Sequence, residues 1–246
     1  MVESLRRPKL ATVVADAIAD HILARGLQAG DPLPTEAALV AEYGVARSTV
    51  REALLLLESE GLIMNRPGRS GGPVVQRPTG EQLARRLSLT LSVSRVCFGD
   101  VVRARRVIEP ELVAGAAANA TPEQLAELDA SVTALEAALD DESTFLTRNE
   151  EFHGMIARAA GNEVLAVFWS AIQRIADGHE VGIRFGSAAR QEAVQAHRRI
   201  LAALQARDAA AAARVMTAHL DGFHELISER YPELLEDPVR IVRGGV

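Results

Sequence analysis

Between residues 10 and 25 the chain reads LATVVADAIADHILAR, and Val13, Val14, Ala17, Ile18 and Ile22 recur at the steps that line one face of a helix ending near Gly26. Gly30-Asp31-Pro32 reads as a turn, and helical patterning resumes near 35–42 and 46–60, where Gly61 stops it. The period then changes. Leu62-Ile63-Met64 and Val74-Val75 are short apolar strand candidates joined by a loop, Asn65 to Pro73, dense in Gly and Pro. Gln76 to Gly80 reads as a linker. Beyond it the pattern predicts only helices, near 81–92, 98–118, 122–140, 143–160, 162–185, 187–206 and 208–230. Thr121-Pro122 marks one start, with Ser143, Asn162 and Ser187 as further cap candidates, and Pro110 predicts a kink or break. The run Ala209 to Ala213 fits a close-packed helix face, and no repeat of solenoid period is present.

The segment from Gly44 to Arg51 has helix-turn-helix grammar. A short turn precedes exposed Arg47, Ser48, Thr49 and Arg51, while Val45, Val50 and Leu54 anchor one helix on another. Arg47 and Arg51 are four apart and share a face, so one guanidinium can read guanine O6 and N7 while the other holds a phosphate. Ser48 and Thr49 add hydroxyls suited to phosphates. The small tip at Pro67-Gly68 can approach a minor-groove floor, with Arg66 and Arg69 drawn to its negative potential. Taken alone, that loop is equally an ordinary solvated turn. The fold class predicted is mainly α: a winged helix-turn-helix of three helices and a β-hairpin wing, joined to an all-α bundle.

These residues resemble the GntR family of bacterial transcription regulators. Its winged-helix pattern is matched by Leu33-Pro34-Thr35-Glu36, Gly44 to Leu54, Leu57 to Leu62 and Pro67 to Val74. The resemblance implies groove and phosphate contacts from Arg47, Ser48, Thr49 and Arg51 and a wing tip at Gly68, with Thr35, Arg66 and Arg69 completing the DNA-binding candidates. The family often has an arginine after the glutamate of the first motif. Ala37 stands there in this chain, so operator preference is expected to differ.

With 246 residues, 48% hydrophobic, the chain is long enough for two cores. The expected division is a DNA-binding domain over 1–77, a linker and connecting helix over 78–97, a helical domain over 98–235 and a tail over 236–246. Aromatic content of only 4% fits a helical protein, and the single cysteine, Cys97, excludes an internal disulfide and reads as a small hydrophobe. The absence of a signal peptide and of a long apolar run predicts a cytoplasmic protein. Net charge is −6 overall, yet residues 1–77 balance nine Lys and Arg against nine Asp and Glu. Tyr43 to Arg51 and Asn65 to Arg77 hold five arginines (Arg47, Arg51, Arg66, Arg69 and Arg77) and no carboxylate. An acidic total does not exclude nucleic acid, because only the surface facing the duplex counts.

A second constellation lies downstream. Asn149 and His153 are four apart and share a helix face, while His197 and His219 flank a predicted turn at Arg207-Asp208 at nearly equal distances, so an antiparallel hairpin brings them level. Three imidazoles and one amide oxygen could then hold Zn, Ni, Cu or Fe with positions left for a ligand carboxylate; zinc is the leading divalent metal. The alternative is that each histidine is a separate core or surface residue. The region from about Phe98 to Glu233 resembles the FCD effector domain of FadR-type GntR regulators. That resemblance implies the metal-binding set Asn149, His153, His197 and His219, with Asn149 replacing the usual Asp. Arg105, in the RxxxE element Arg105 to Glu109, either turns inward to hold an effector's carboxylate or pairs with Glu109 one turn on. His21, His179 and His224 fit no arrangement, and Trp169 reads as core.

Together these features predict a homodimeric transcription regulator, a repressor, that reads a palindromic double-stranded DNA operator. A small organic acid or related metabolite bound in the metal-containing domain controls it. Two other classes stay open: a metal-dependent hydrolase, and an architectural DNA-binding dimer without a ligand.

Overall fold

The computed structural model describes residues 9–66, 71–76, 80–176 and 182–242, and not the side chain of Glu81. Pro67, Gly68, Arg69, Arg77 and His179 therefore lie outside the described residues. The chain divides into two compact units, Met1–Gln82 and Leu83–Val246.

In the first unit, α1 (Leu10–Arg25), α2 (Glu36–Tyr43) and α3 (Arg47–Ser59) precede β1 (Ile63–Arg66) and β2 (Gly72–Val75). Val14, Ile18 and Ile22 of α1, Leu39 of α2, and Val50, Ala53, Leu54 and Leu57 of α3 form one core with Ile63 and Val75. Val13 is not part of the buried face as predicted; it is 45% exposed, and Ala11 and Ala15 pack inward instead. The strands pair antiparallel, Ile63 opposite Val75 and Arg66 opposite Gly72. The predicted turn at Gly30 to Pro32 is more than a turn. Gly30 N donates to Val75 O at 2.8 Å, Val75 N to Asp31 O at 2.9 Å and Leu33 N to Pro73 O at 2.9 Å, so this segment covers the free edge of β2.

The second unit holds most of α4 (Gly80–Val93), then α5 (Phe98–Asn119), α6 (Pro122–Ala137), α7 (Glu142–Ala159), α8 (Glu163–Ile175), α9 (Ser187–Gln205), α10 (Ala209–Arg230) and the short α11 (Pro232–Glu236). α5 packs on α7, α8 and α10, burying Leu112, Val113 and Ala116 against Phe152, Trp169, Met216 and Leu220. Trp169 is core, as expected. Pro110 does not break α5; the buried residues after it carry the helix through to Asn119.

The local signals were partly misplaced. Thr121 and Asn162 cap α6 and α8 as predicted, accepting from Gln124 N and Leu165 N. The cap of α7 is Asp141 rather than Ser143, because its carboxylate accepts from both Ser143 N and Thr144 N. Gly186, not Ser187, precedes α9. The helix expected over 162–185 ends at Ile175, and Ile183, within that range, is buried but not helical. Residues 236–242 are no loose tail. Val239 and Val242 are buried, Phe98 N donates to Asp237 O, and Val242 N donates to Ser88 Oγ.

The C-terminal end of α5 meets the end of α7 at backbone distance. Asn119 Nδ2 donates to Gly115 O at 3.0 Å and to Ala160 O at 2.9 Å, and a Cβ at Gly115 would lie 2.6 Å from Ala160 O. Gly115→Ala should therefore destabilise the helical unit by about 1–3 kcal/mol through overpacking. An unchanged thermal melting curve would show that these helices part without penalty.

Candidate functional site

The head presents α3 from a tight turn. Gly44 ends α2 in the left-handed region, φ 62°, its N–H bonded to Val40 O, and Ala46 precedes α3 without a side chain to cap it. The first N–H groups of α3 are thus left for an outside acceptor, beside exposed Arg47, Ser48 and Arg51 and half-buried Thr49. Arg66, on β1, is also exposed. Thr35 caps α2 by accepting from Ala38 N at 3.3 Å, which leaves its hydroxyl hydrogen free to donate.

One residue alters the expected positive patch. Glu36, the first residue of α2, lies outside the two stretches that lack carboxylates, yet it folds onto both Arg47 and Arg51. Its carboxylate is 2.7 Å from Arg47 Nε and 3.0 Å from Arg51 Nε. Both guanidiniums stay about two-thirds exposed, so each pair is worth roughly 0–1 kcal/mol and mainly sets direction.

In the second unit the predicted hairpin of α9 and α10 forms. Arg207 turns the chain with φ 56°, and Asp208 caps α10 by accepting from Ala211 N. His197 and His219 consequently meet, Nε2 to Nε2, at 3.3 Å, and His219 Nε2 lies 3.3 Å from His153 Nε2 of α7. Two imidazole nitrogens bound ~2.0–2.1 Å from one tetrahedral zinc would stand ~3.3–3.4 Å apart. The two separations about His219 match such an ion, and all three ligand atoms lie within 4.8 Å of one another.

Each ring is held differently. His197 is fully buried and stacks on Phe152 with centroids 4.1 Å apart, its Nδ1 without a partner. His153 turns Nδ1 toward Glu109 Oε2 at 2.6 Å, a bent approach rather than a straight hydrogen bond. Glu109 Oε1 meanwhile accepts from Arg105 Nε at 2.6 Å. Burial alone would raise the Glu109 carboxyl, but the Arg105 and His153 charges beside it hold it well below the usual range.

His153 and His219, with His197 buried behind them, line a cavity of about 290 Å³ together with Arg105, Asn149, Phe185, Glu192, Arg199 and Phe223. Asn149 is half-buried on this wall one turn before His153, and the three histidines come together as a donor cluster. Arg105 pairs with Glu109, and its side chain also lines the cavity, its guanidinium carbon 5.5 Å from the centre of the Phe223 ring. The Phe185 wall is tied down by Glu142, which accepts from Phe185 N and Arg184 Nη1. Sequence reasoning paired Glu109 with Arg105 but missed its contact with His153, and it missed Arg199, Phe185 and Phe223. Part of their signal was present: Ala189, Glu192, Ala193, Ala196 and Arg199 follow one helix stripe, as do His219, Gly222, Phe223 and Leu226.

Burial, then the neighbouring His219 and His153, keep the His197 pKa well below its ordinary 6.5, and burial and His153 push His219 down to about 3. Both rings are neutral when folded and gain protons on unfolding at mildly acid pH. Their contribution to stability is full above about pH 6.5 and is lost as pH falls. Depressed carboxylates such as Glu109 and Asp141 act only below their unfolded values near 4.5 and 3.8. Metal-free protein should therefore unfold at lower urea at about pH 5 than at about pH 7.5. An equal midpoint at the two values would mean that the rings protonate freely in the folded chain.

Residues 10–71 match the bacterial regulatory proteins of the gntR family, and residues 100–222 match the FCD domain. The chain is 30% identical over 222 residues to the HTH-type transcriptional repressor NanR of Salmonella typhimurium, covering 88% of this chain and 84% of that one. Against NanR of Cronobacter sakazakii it is 31% identical over 171 residues, 68% of this chain and 65% of that one. A GntR structure from Streptococcus agalactiae superposes with a TM-score of 0.71 at 25% identity, over 87% of this chain and 99% of the other. With its reading helix, hairpin and histidine-floored cavity in place, the chain belongs to the GntR family and is a DNA-binding transcription regulator, not an enzyme, whose FCD domain binds an effector.

Proposed function

We propose that this regulator is a homodimeric repressor whose helical unit binds a divalent metal, zinc foremost, and a small organic acid that controls operator binding. The observation that carries this reading is the cluster of three Nε2 atoms at a cavity also lined by Arg105 and Arg199. His153, His197 and His219 would hold the metal, with Asn149 as a fourth, neutral donor from the same wall. A bound metal would supply a Lewis-acid anchor for a carboxylate, the Nη groups of Arg105 and Arg199 would add charge, and Phe185 and Phe223 would cover an apolar or ring-shaped remainder. The name repressor, borne by the NanR relatives, supports the direction of control.

At the head, Arg47 and Arg51 would read base edges with the Nη ends that Glu36 leaves free. Thr35, Ser48, Thr49 and the N-terminus of α3 would take phosphates, and Arg66, Gly68 and Arg69 would enter the minor groove. A two-fold dimer would match a palindromic site. The protein would act in the cytoplasm, where its DNA is; among the described residues no helix is long and apolar enough to cross a membrane.

With an operator selected from a random duplex pool, Arg47→Ala or Arg51→Ala should each weaken binding by about 1–3 kcal/mol. Wild-type affinity in a gel-shift titration would remove that assignment. Metal analysis and a thermal-shift screen of organic acids test the other unit. His197→Ala/His219→Ala should lose the metal and any acid-dependent stabilisation; stoichiometric metal in that variant would mean other ligands.

A further inference from the structure

Glu109 has a place in this site that its sequence position does not announce. It sits on α5, one turn after Arg105, and is only 2% exposed, yet each of its oxygens meets a different partner. Oε1 takes Arg105 Nε, from a residue of the cavity wall; Oε2 faces His153 Nδ1, from a residue of the donor cluster. A carboxylate against Nδ1 keeps the proton on that nitrogen and leaves the lone pair on Nε2, where the three rings converge. His197 has no such partner, its Nδ1 being buried and unmatched and its plane set by Phe152. The tautomer and aim of His153 therefore depend on one carboxylate.

We propose that Glu109 is a positioning residue for the metal: held by Arg105, it orients His153 and raises the basicity of its Nε2, and so sets the affinity of the three-histidine cluster. The inference rests on the metal reading proposed above. It also gives Arg105 a divided task, its Nε holding Glu109 while its remaining N–H groups face the cavity.

Zinc affinity of the chelator-stripped full chain, measured by competition with a chromophoric chelator, tests this, with Co2+ absorption reporting on the ligand field. Glu109→Gln should bind zinc ~10- to 100-fold more weakly and shift the Co2+ bands. Because that variant leaves Arg105 buried without its counter-ion, Arg105→Met/Glu109→Gln supplies a neutral pair and a second chance to fold. If Glu109 acts through His153, the double variant stays weak. Wild-type zinc affinity in Glu109→Gln, or its recovery in the double variant, would overturn the proposal and leave Glu109 a partner for Arg105 only. Failure of the wild-type chain to take up zinc at all would instead overturn the metal reading, and this inference with it.

Discussion

A charge taken out of water must be matched at close range, and the helical unit of this regulator is arranged around one such charge. Glu109 loses its hydration inside α5, a loss of several kcal/mol for an unmatched ion, and recovers it from Arg105 on its own helix and His153 on α7. The match requires α5 and α7 to keep their spacing and fixes the turn of the His153 ring. The ring in turn meets His219 of α10, which meets His197 of α9. Four helices are thereby tied to one polar seam through an otherwise apolar core.

The cavity beside the seam carries both signs of charge. Its wall holds Arg105, already engaged with Glu109, and Arg199, which pairs with Glu192 at 3.4 Å. Phe185 and Phe223, stacked with centroids 6.0 Å apart, keep part of that wall dry, which strengthens any ionic contact made there.

The head solves the opposite problem. Glu36 meets the Nε edges of Arg47 and Arg51 at the surface, where the pairing is weak and leaves both side chains hydrated. Carboxylate–guanidinium pairing thus recurs in both units. The difference is burial.

Much of this was legible along the chain. The 3.6-residue period located the helices, Gly44 and the apolar anchors around it marked the reading turn, and equal spacing about Arg207-Asp208 placed His197 beside His219. These are local properties, or one step from local, because a helix hairpin has a single simple register. What sequence alone misjudged depends on competition between neighbours. Asp141 outbids Ser143 as a cap, the helix begun at Glu163 closes at Ile175, and residues 236–242 fold back because Val239 and Val242 find a core. The pairing of Glu109 with His153 and of Glu36 with Arg47 and Arg51 joins residues on different elements. Only the packed structure decided those contacts, since charge pairing acts over a few ångströms in space and leaves no period in the sequence.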